Sequence, residues 1–127
     1  MNNKAGDLIK IKRIYDPPDP KDGIRILVDR LWPRGVKKEN AKVDIWMKEI
    51  APSPGLRKWF NHEPAKWEDF KKAYKEELEH SKVIGELGEY IRVNKKITLL
   101  YAASDQEHNH ALVLLDYIKK VFRPGKK

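Results

Sequence analysis

Asp29-Arg30-Leu31-Trp32-Pro33-Arg34-Gly35 places a carboxylate, two guanidiniums and an indole side by side, with Pro33 and Gly35 fixing a loop. Guanidinium forks match phosphate, sulfate or carboxylate, and an indole offers a flat stacking face. Arg30 and Arg34 are therefore candidates to hold an anion, and Trp32 to stack on it. Asp29 is a candidate proton carrier, because burial raises a carboxyl pKa toward the range of a useful base. The structural alternative is that Asp29 pairs with Arg25 or Arg30 at a strand end while Trp32 fills core.

A second stretch, Tyr101-Ala102-Ala103-Ser104-Asp105-Gln106-Glu107-His108-Asn109, has the same character. A helix starting behind it would direct free N–H groups at an anion. Asp105, His108 and Asn109 would then share one helical side, with His108 as a second proton carrier and Tyr101, Asp105 and Asn109 as ligand contacts. Ser104 and Glu107 have capping-box spacing, and capping is the simpler role for both. Between the two stretches, Arg57 offers another anion contact and His62 a titratable imidazole. Ser53 is a nucleophile only if a base lies within hydrogen-bond reach. One of the adjacent Trp59 and Phe60 belongs to the core, and the other is free to line a cleft. His62, His80, His108 and His110 lack metal-ligand spacing, so no metal and no cofactor are expected. The absence of cysteine rules out disulfides and thiolate chemistry.

The elements that must position these groups follow from periodicity. Leu8–Tyr15 and Ile24–Leu31 read as strands, the second of them buried. The connection between them is too short for a helical crossover, so they are antiparallel neighbours or not adjacent. Val43–Ile50 fits either element, and its alternation of Val43, Ile45 and Met47 favours a strand. Leu56–Phe60 reads as a short helix. Pro64 suits a first helical position, and Trp67, Phe70, Tyr74 and Leu78 form one stripe behind it. Ser81 can cap a helix whose apolar face is Val83, Ile84, Leu87 and Ile91. The continuous apolar run from Ile97 to Ala103 has central-strand character. A last helix carries Ala111, Leu115, Ile118 and Phe122. Strands interleaved with helices in 127 residues, with no repeat or linker, predict one compact α/β domain with a small, mostly parallel sheet flanked by helices.

The formal net charge is +8. Residues 1–13 contribute +3 and residues 119–127 contribute +5, so residues 14–118 balance. The excess belongs to the two ends, where frayed segments over 1–7 and 123–127 are expected. Such ends permit nonspecific, salt-sensitive contact with nucleic acid. The chain has neither a membrane-spanning run nor a signal-peptide core, so a cytoplasmic protein without membrane contact is expected. Its oligomeric state is not legible.

The segment Asp29–Gly35 resembles the hallmark of the YeaO-like family, a bacterial and archaeal domain of unknown function. The likeness extends through Tyr15-Asp16-Pro17-Pro18, Ala51-Pro52-Ser53, Leu56-Arg57-Lys58-Trp59-Phe60 with His62, and the aromatic stripe at Trp67, Phe70 and Tyr74. It continues through Thr98–Ala103 with Asp105, His108 and Asn109, and so spans nearly all of residues 8–120. The resemblance implies a compact α/β unit with the polar signature residues gathered in one cleft. A longer branch of that domain carries cysteine near the positions of Tyr101 and Asn109. Any thiol chemistry of that branch therefore does not transfer here. Three functions stay open: a cleft for a small phosphorylated or carboxylated anion, with or without catalysis; a nucleic-acid accessory working through basic ends; and a binding or regulatory module without chemistry.

Overall fold

A computed structural model describes residues 9–94 and 96–122. The expectations for the basic ends at 1–7 and 123–127 lie outside the described residues. Among these residues four strands, β1 (Ile9–Arg13), β2 (Ile24–Leu27), β3 (Ile45–Trp46) and β4 (Ile97–Tyr101), form one sheet. Their order is β1-β4-β2-β3 and every pairing is parallel. The sheet is therefore all-parallel, and β1 and β2 are not neighbours, because the apolar β4 inserts between them. That position suits β4, whose five residues are all buried.

Five α-helices lie among the described residues: α1 (Lys38–Ala41), α2 (Pro54–Phe60), α3 (Trp67–Glu79), α4 (Ile84–Val93) and α5 (His110–Val121). Strand alternation gives the sheet two unlike faces. Ile9, Ile26, Val28, Ile97, Leu99 and Tyr101 face the main core, which α2 to α5 cover with Phe60, Phe70, Tyr74, Leu78, Leu87, Ile91, Leu114 and Ile118. The opposite face carries Leu27 and Leu100 in a small cluster with Ile14 and Ala41, against which Trp32 and Trp46 pack.

The small face also holds charge. Lys10 and Arg25 both align with Thr98, so they share one side of the sheet, and Lys12 lies two residues along β1. Their common counter-ion is Asp22, whose side chain is fully buried. Lys10 Nζ lies 3.0 Å and Lys12 Nζ 2.9 Å from its oxygens, Arg25 donates to Oδ2, and the Asp19 N–H donates at 3.1 Å. Burial pushes this carboxyl upward, but Lys12, Lys10, Asp19 and Arg25 together hold it far below its ordinary value. Gly23 follows at φ 68°, and a Cβ there would collide with the Lys96 carbonyl that accepts from Ile24. Gly23→Ala is expected to lower stability by about 2 kcal/mol, read as an earlier urea midpoint at unchanged slope.

Several boundaries differ from the sequence expectation. The strand read over Leu8–Tyr15 spans Ile9–Arg13 among the described residues. The strand expected over Ile24–Leu31 ends at Leu27, because Asp29 and Arg30 turn away to tertiary partners. The segment Val43–Ile50 keeps only Ile45–Trp46 as strand and tightens into a 3-10 turn at Lys48–Ile50. Ser81 receives the Val83 N–H at 3.1 Å in a turn, and the helix starts at Ile84. The capping box at Ser104–Glu107 does not form. Asp105 Oδ1 accepts the N–H groups of Glu107 and His108, which holds a loop, and α5 starts at His110 under an Asn109 cap. Asn109→Ala is expected to cost about 1 kcal/mol, because Oδ1 accepts from Leu112 N at 3.0 Å. Thermal unfolding of the variant checks this.

Candidate functional site

The loop after β2 is held from three sides. Trp46 Nε1 donates to Asp29 O at 2.8 Å, Trp32 Nε1 to Val36 O at 2.8 Å, and Tyr15 Oη to Arg34 O at 3.0 Å. Gly35, at φ 77°, supplies the left-handed residue of the turn that Val36 N closes on Pro33 O. Asp29 is the latch to the second strand exit: its Oδ2 accepts the Ala102 N–H at 3.0 Å. Arg25 and Arg30, the partners offered by the structural alternative, turn instead to Asp22 and to the Ala51 and Pro52 carbonyls.

Facing this loop is the segment 50–53, clamped by α3. Tyr74 is fully buried and donates to Ile50 O at 2.7 Å. Burial first, then the nearby charges of Glu77 and Asp29, keeps its phenol well above the ordinary value and so protonated. Glu77 accepts from Ser53 N at 2.9 Å and Ser53 Oγ at 2.6 Å, while Ser53 Oγ caps α2 through Leu56 N. This clamp presents the Ala51 and Pro52 carbonyls to Arg30, which donates to them at 3.1 and 3.3 Å.

Between the loop, segment 50–53 and α2 lies a cavity of about 320 Å³. Arg30, Arg34 and Arg57 line it, together with Asp29, Trp32 and His110. The rest of its wall is apolar, from Leu31 at the surface to the buried Pro33, Phe60 and Phe70. Arg34 and Arg57 are exposed. Among the described residues, none of the three arginines pairs with a carboxylate. The one carboxylate in the wall is withdrawn from solvent. Asp29 Oδ1 is buried without a hydrogen-bond donor, and His110 Nε2 stands 3.2 Å away. That nitrogen carries a proton, since its partner at 3.0 Å is the Val28 carbonyl, which can only accept.

Of the residues read from the sequence, Asp29, Arg30, Trp32, Arg34 and Arg57 meet at this cavity. The two strand exits do converge, but through Ala102 and Ala103 rather than through the polar residues beyond them. Tyr101 is buried in the main core, where burial is the chief influence raising its phenol pKa. Asn109 spends both side-chain ends on Leu112 N and Asp105 O. His108 Nδ1 pairs with Asp105 Oδ2 at 3.0 Å and its ring meets the Trp67 edge, outside the cavity lining. The Glu107 N–H, and then the His108 side chain and N–H, hold the Asp105 carboxyl below its ordinary value despite slight burial. Ser53 lines a neighbouring groove with Glu77, and His62 is exposed beyond α2. Trp32 is wedged edge-on against Trp46 at 5.4 Å, with Lys38 over its ring. Trp59 is exposed with Lys66 over its ring, so Phe60 serves both core and cavity.

His110 and Phe70 were not among the candidates. His110 becomes visible only once Asn109 is recognised as the helix cap, which makes the next residue the first of α5. Phe70 reads from its stripe as core, and it is core on one side. Among the described residues no group of three or more His, Asp or Glu side chains is placed to hold a metal ion. No helix among them is long and apolar enough to cross a membrane.

Comparison with known proteins adds a family. A profile described as "Inactive DUF488-N3 subclade" matches residues 8–126. The chain is 45% identical over 113 residues to the uncharacterized protein YeaO of Escherichia coli, covering 89% of this chain and 98% of that protein. It is 39% identical over 106 residues to the uncharacterized protein Rv3073c of Mycobacterium tuberculosis, covering 84% and 89% respectively. No solved structure matches it.

Proposed function

The chain belongs to the DUF488-N3i family, the inactive DUF488-N3 subclade and YeaO-like in sequence, and on that premise we propose that its cavity binds a small anion without transforming it. The observation that carries this reading is the set of three arginines around one cavity, none neutralised by a carboxylate among the described residues. Unpaired guanidiniums beside low-dielectric walls attract an anion and hold it bidentately. Arg30 is preorganised by two backbone carbonyls, which lowers the entropy lost on binding.

The case against catalysis is local. Asp29, the best base in the wall, uses one oxygen on Ala102 N–H and has the other shut away from solvent beside His110. His108, the alternative proton carrier, lies outside the cavity lining. The family description as inactive agrees with a binding role.

The test is an equilibrium titration of the full chain with inorganic phosphate, acetate and 3-phenylpropanoate at constant ionic strength. Saturable binding of at least one anion, weakened by replacing Arg34 and Arg57, is the expected result. Absence of saturable binding for all three removes the proposal.

A further inference from the structure

The wall of the same cavity carries information about the body of the anion as well as its charge. Its charges are not distributed evenly. Arg34 and Arg57 belong to exposed residues and stand at the mouth, whereas Phe60 and Phe70 are 6% and 2% exposed and form the floor. Leu31, between Arg30 and Trp32, lines the cavity while 61% exposed. Pro33, Pro52 and three alanines supply the remaining apolar surface, without a hydroxyl or amide side chain. A bare phosphate or acetate would meet the guanidiniums and leave this apolar hollow to water.

The volume points the same way. At ~30 Å³ per water molecule, 320 Å³ corresponds to on the order of ten waters. That is room for a ligand of about ten non-hydrogen atoms, at the small end of ligand sites. The charge of Asp29 is offset by the Ala102 N–H that donates to its Oδ2 and by the three guanidiniums that line the same cavity.

We infer that the ligand is an amphipathic organic carboxylate, its carboxylate on Arg34 and Arg57 at the mouth and one ring or branched aliphatic body against Leu31, Phe60 and Phe70. This inference rests on the anion-binding reading above and narrows it to a chemical class. Burial of the apolar body then supplies affinity that the charge alone lacks, and the guanidiniums fix orientation.

The experiment compares 3-phenylpropanoate, acetate, inorganic phosphate and the uncharged 3-phenylpropanol, titrated into the full chain at constant ionic strength. The acid is expected to bind at least tenfold tighter than acetate, phosphate or the alcohol. In Leu31→Ala, whose altered side chain is exposed and spares the fold, its affinity is expected to fall about fivefold while phosphate affinity stays unchanged. Phosphate or acetate binding as tightly as the acid overturns the amphipathic class and leaves the anion reading standing. The alcohol matching the acid overturns both, as does no binding by any of the four.

Discussion

Asp22→Asn lowers the free energy of unfolding by about 3–5 kcal/mol, the cost of removing one partner from a buried charge cluster. The effect is large because one carboxylate serves three cations. Lys10, Lys12 and Arg25 all reach it, and Arg25 is itself only 4% exposed. Without the charge, the buried Arg25, the part-buried Lys12 and the half-exposed Lys10 repel one another. Asparagine keeps the size of the side chain, so the loss reports charge rather than a cavity. Urea denaturation at neutral pH is expected to show a lower midpoint with an unchanged slope.

The pH dependence has a definite sign. The folded-state pKa of Asp22 is depressed from an ordinary 3.8, so its contribution is full above that value and declines as pH falls toward the folded-state pKa. The parent protein should therefore lose stability below about pH 4, and the variant's stability curve should be flatter there. A variant within 1 kcal/mol of the parent and equally acid-sensitive would contradict the role given to this cluster.

The second large effect concerns binding. Arg34→Ala combined with Arg57→Ala is expected to weaken the tightest-binding of the tested anions about 100-fold. Each lost charge-assisted hydrogen bond is worth about 1.5–3 kcal/mol, and about 1.4 kcal/mol is a factor of ten. Both side chains are exposed and make no ion pair among the described residues, so stability should change by less than ~0.5 kcal/mol. Intact stability with lost affinity separates a binding role from a structural one. Arg30→Ala is less clean, because Arg30 also braces the Ala51 and Pro52 carbonyls.

Much of this architecture was legible in the residues. The unbroken apolar run from Ile97 placed the central strand, since only a strand buried on both faces tolerates it. The stripe at Phe70, Tyr74 and Leu78 placed α3, and the density of arginine and aromatic groups in 29–35 marked the loop that forms the cavity. Strand order was not legible, because the short link from Asp16 to Gly23 says only that β1 and β2 are not joined by a helix. Pairing both of them to β4 is a tertiary choice.

The second exit misled for a local reason. Ser104 and Glu107 have the spacing of a cap, but Asp105 captures the neighbouring N–H groups first, and the helix waits for Asn109. That delay of a few residues brings His110 instead of His108 to Asp29. The buried cluster at Asp22 left a fainter signal. Lys10 and Lys12 alternate along an edge strand, and Arg25 lies in a buried one; three cations on one face of a sheet require an acid nearby.

The most direct measurement follows the Arg34 and Arg57 Nε–H resonances of the full chain by two-dimensional NMR, as 3-phenylpropanoate is added at constant ionic strength. Both signals should shift along one saturating curve, together with the amides of Leu31 and Ala103. Linear, unsaturating shifts, or shifts spread over lysines far from the cavity with the two arginines silent, would show that the anion meets only a diffuse positive surface.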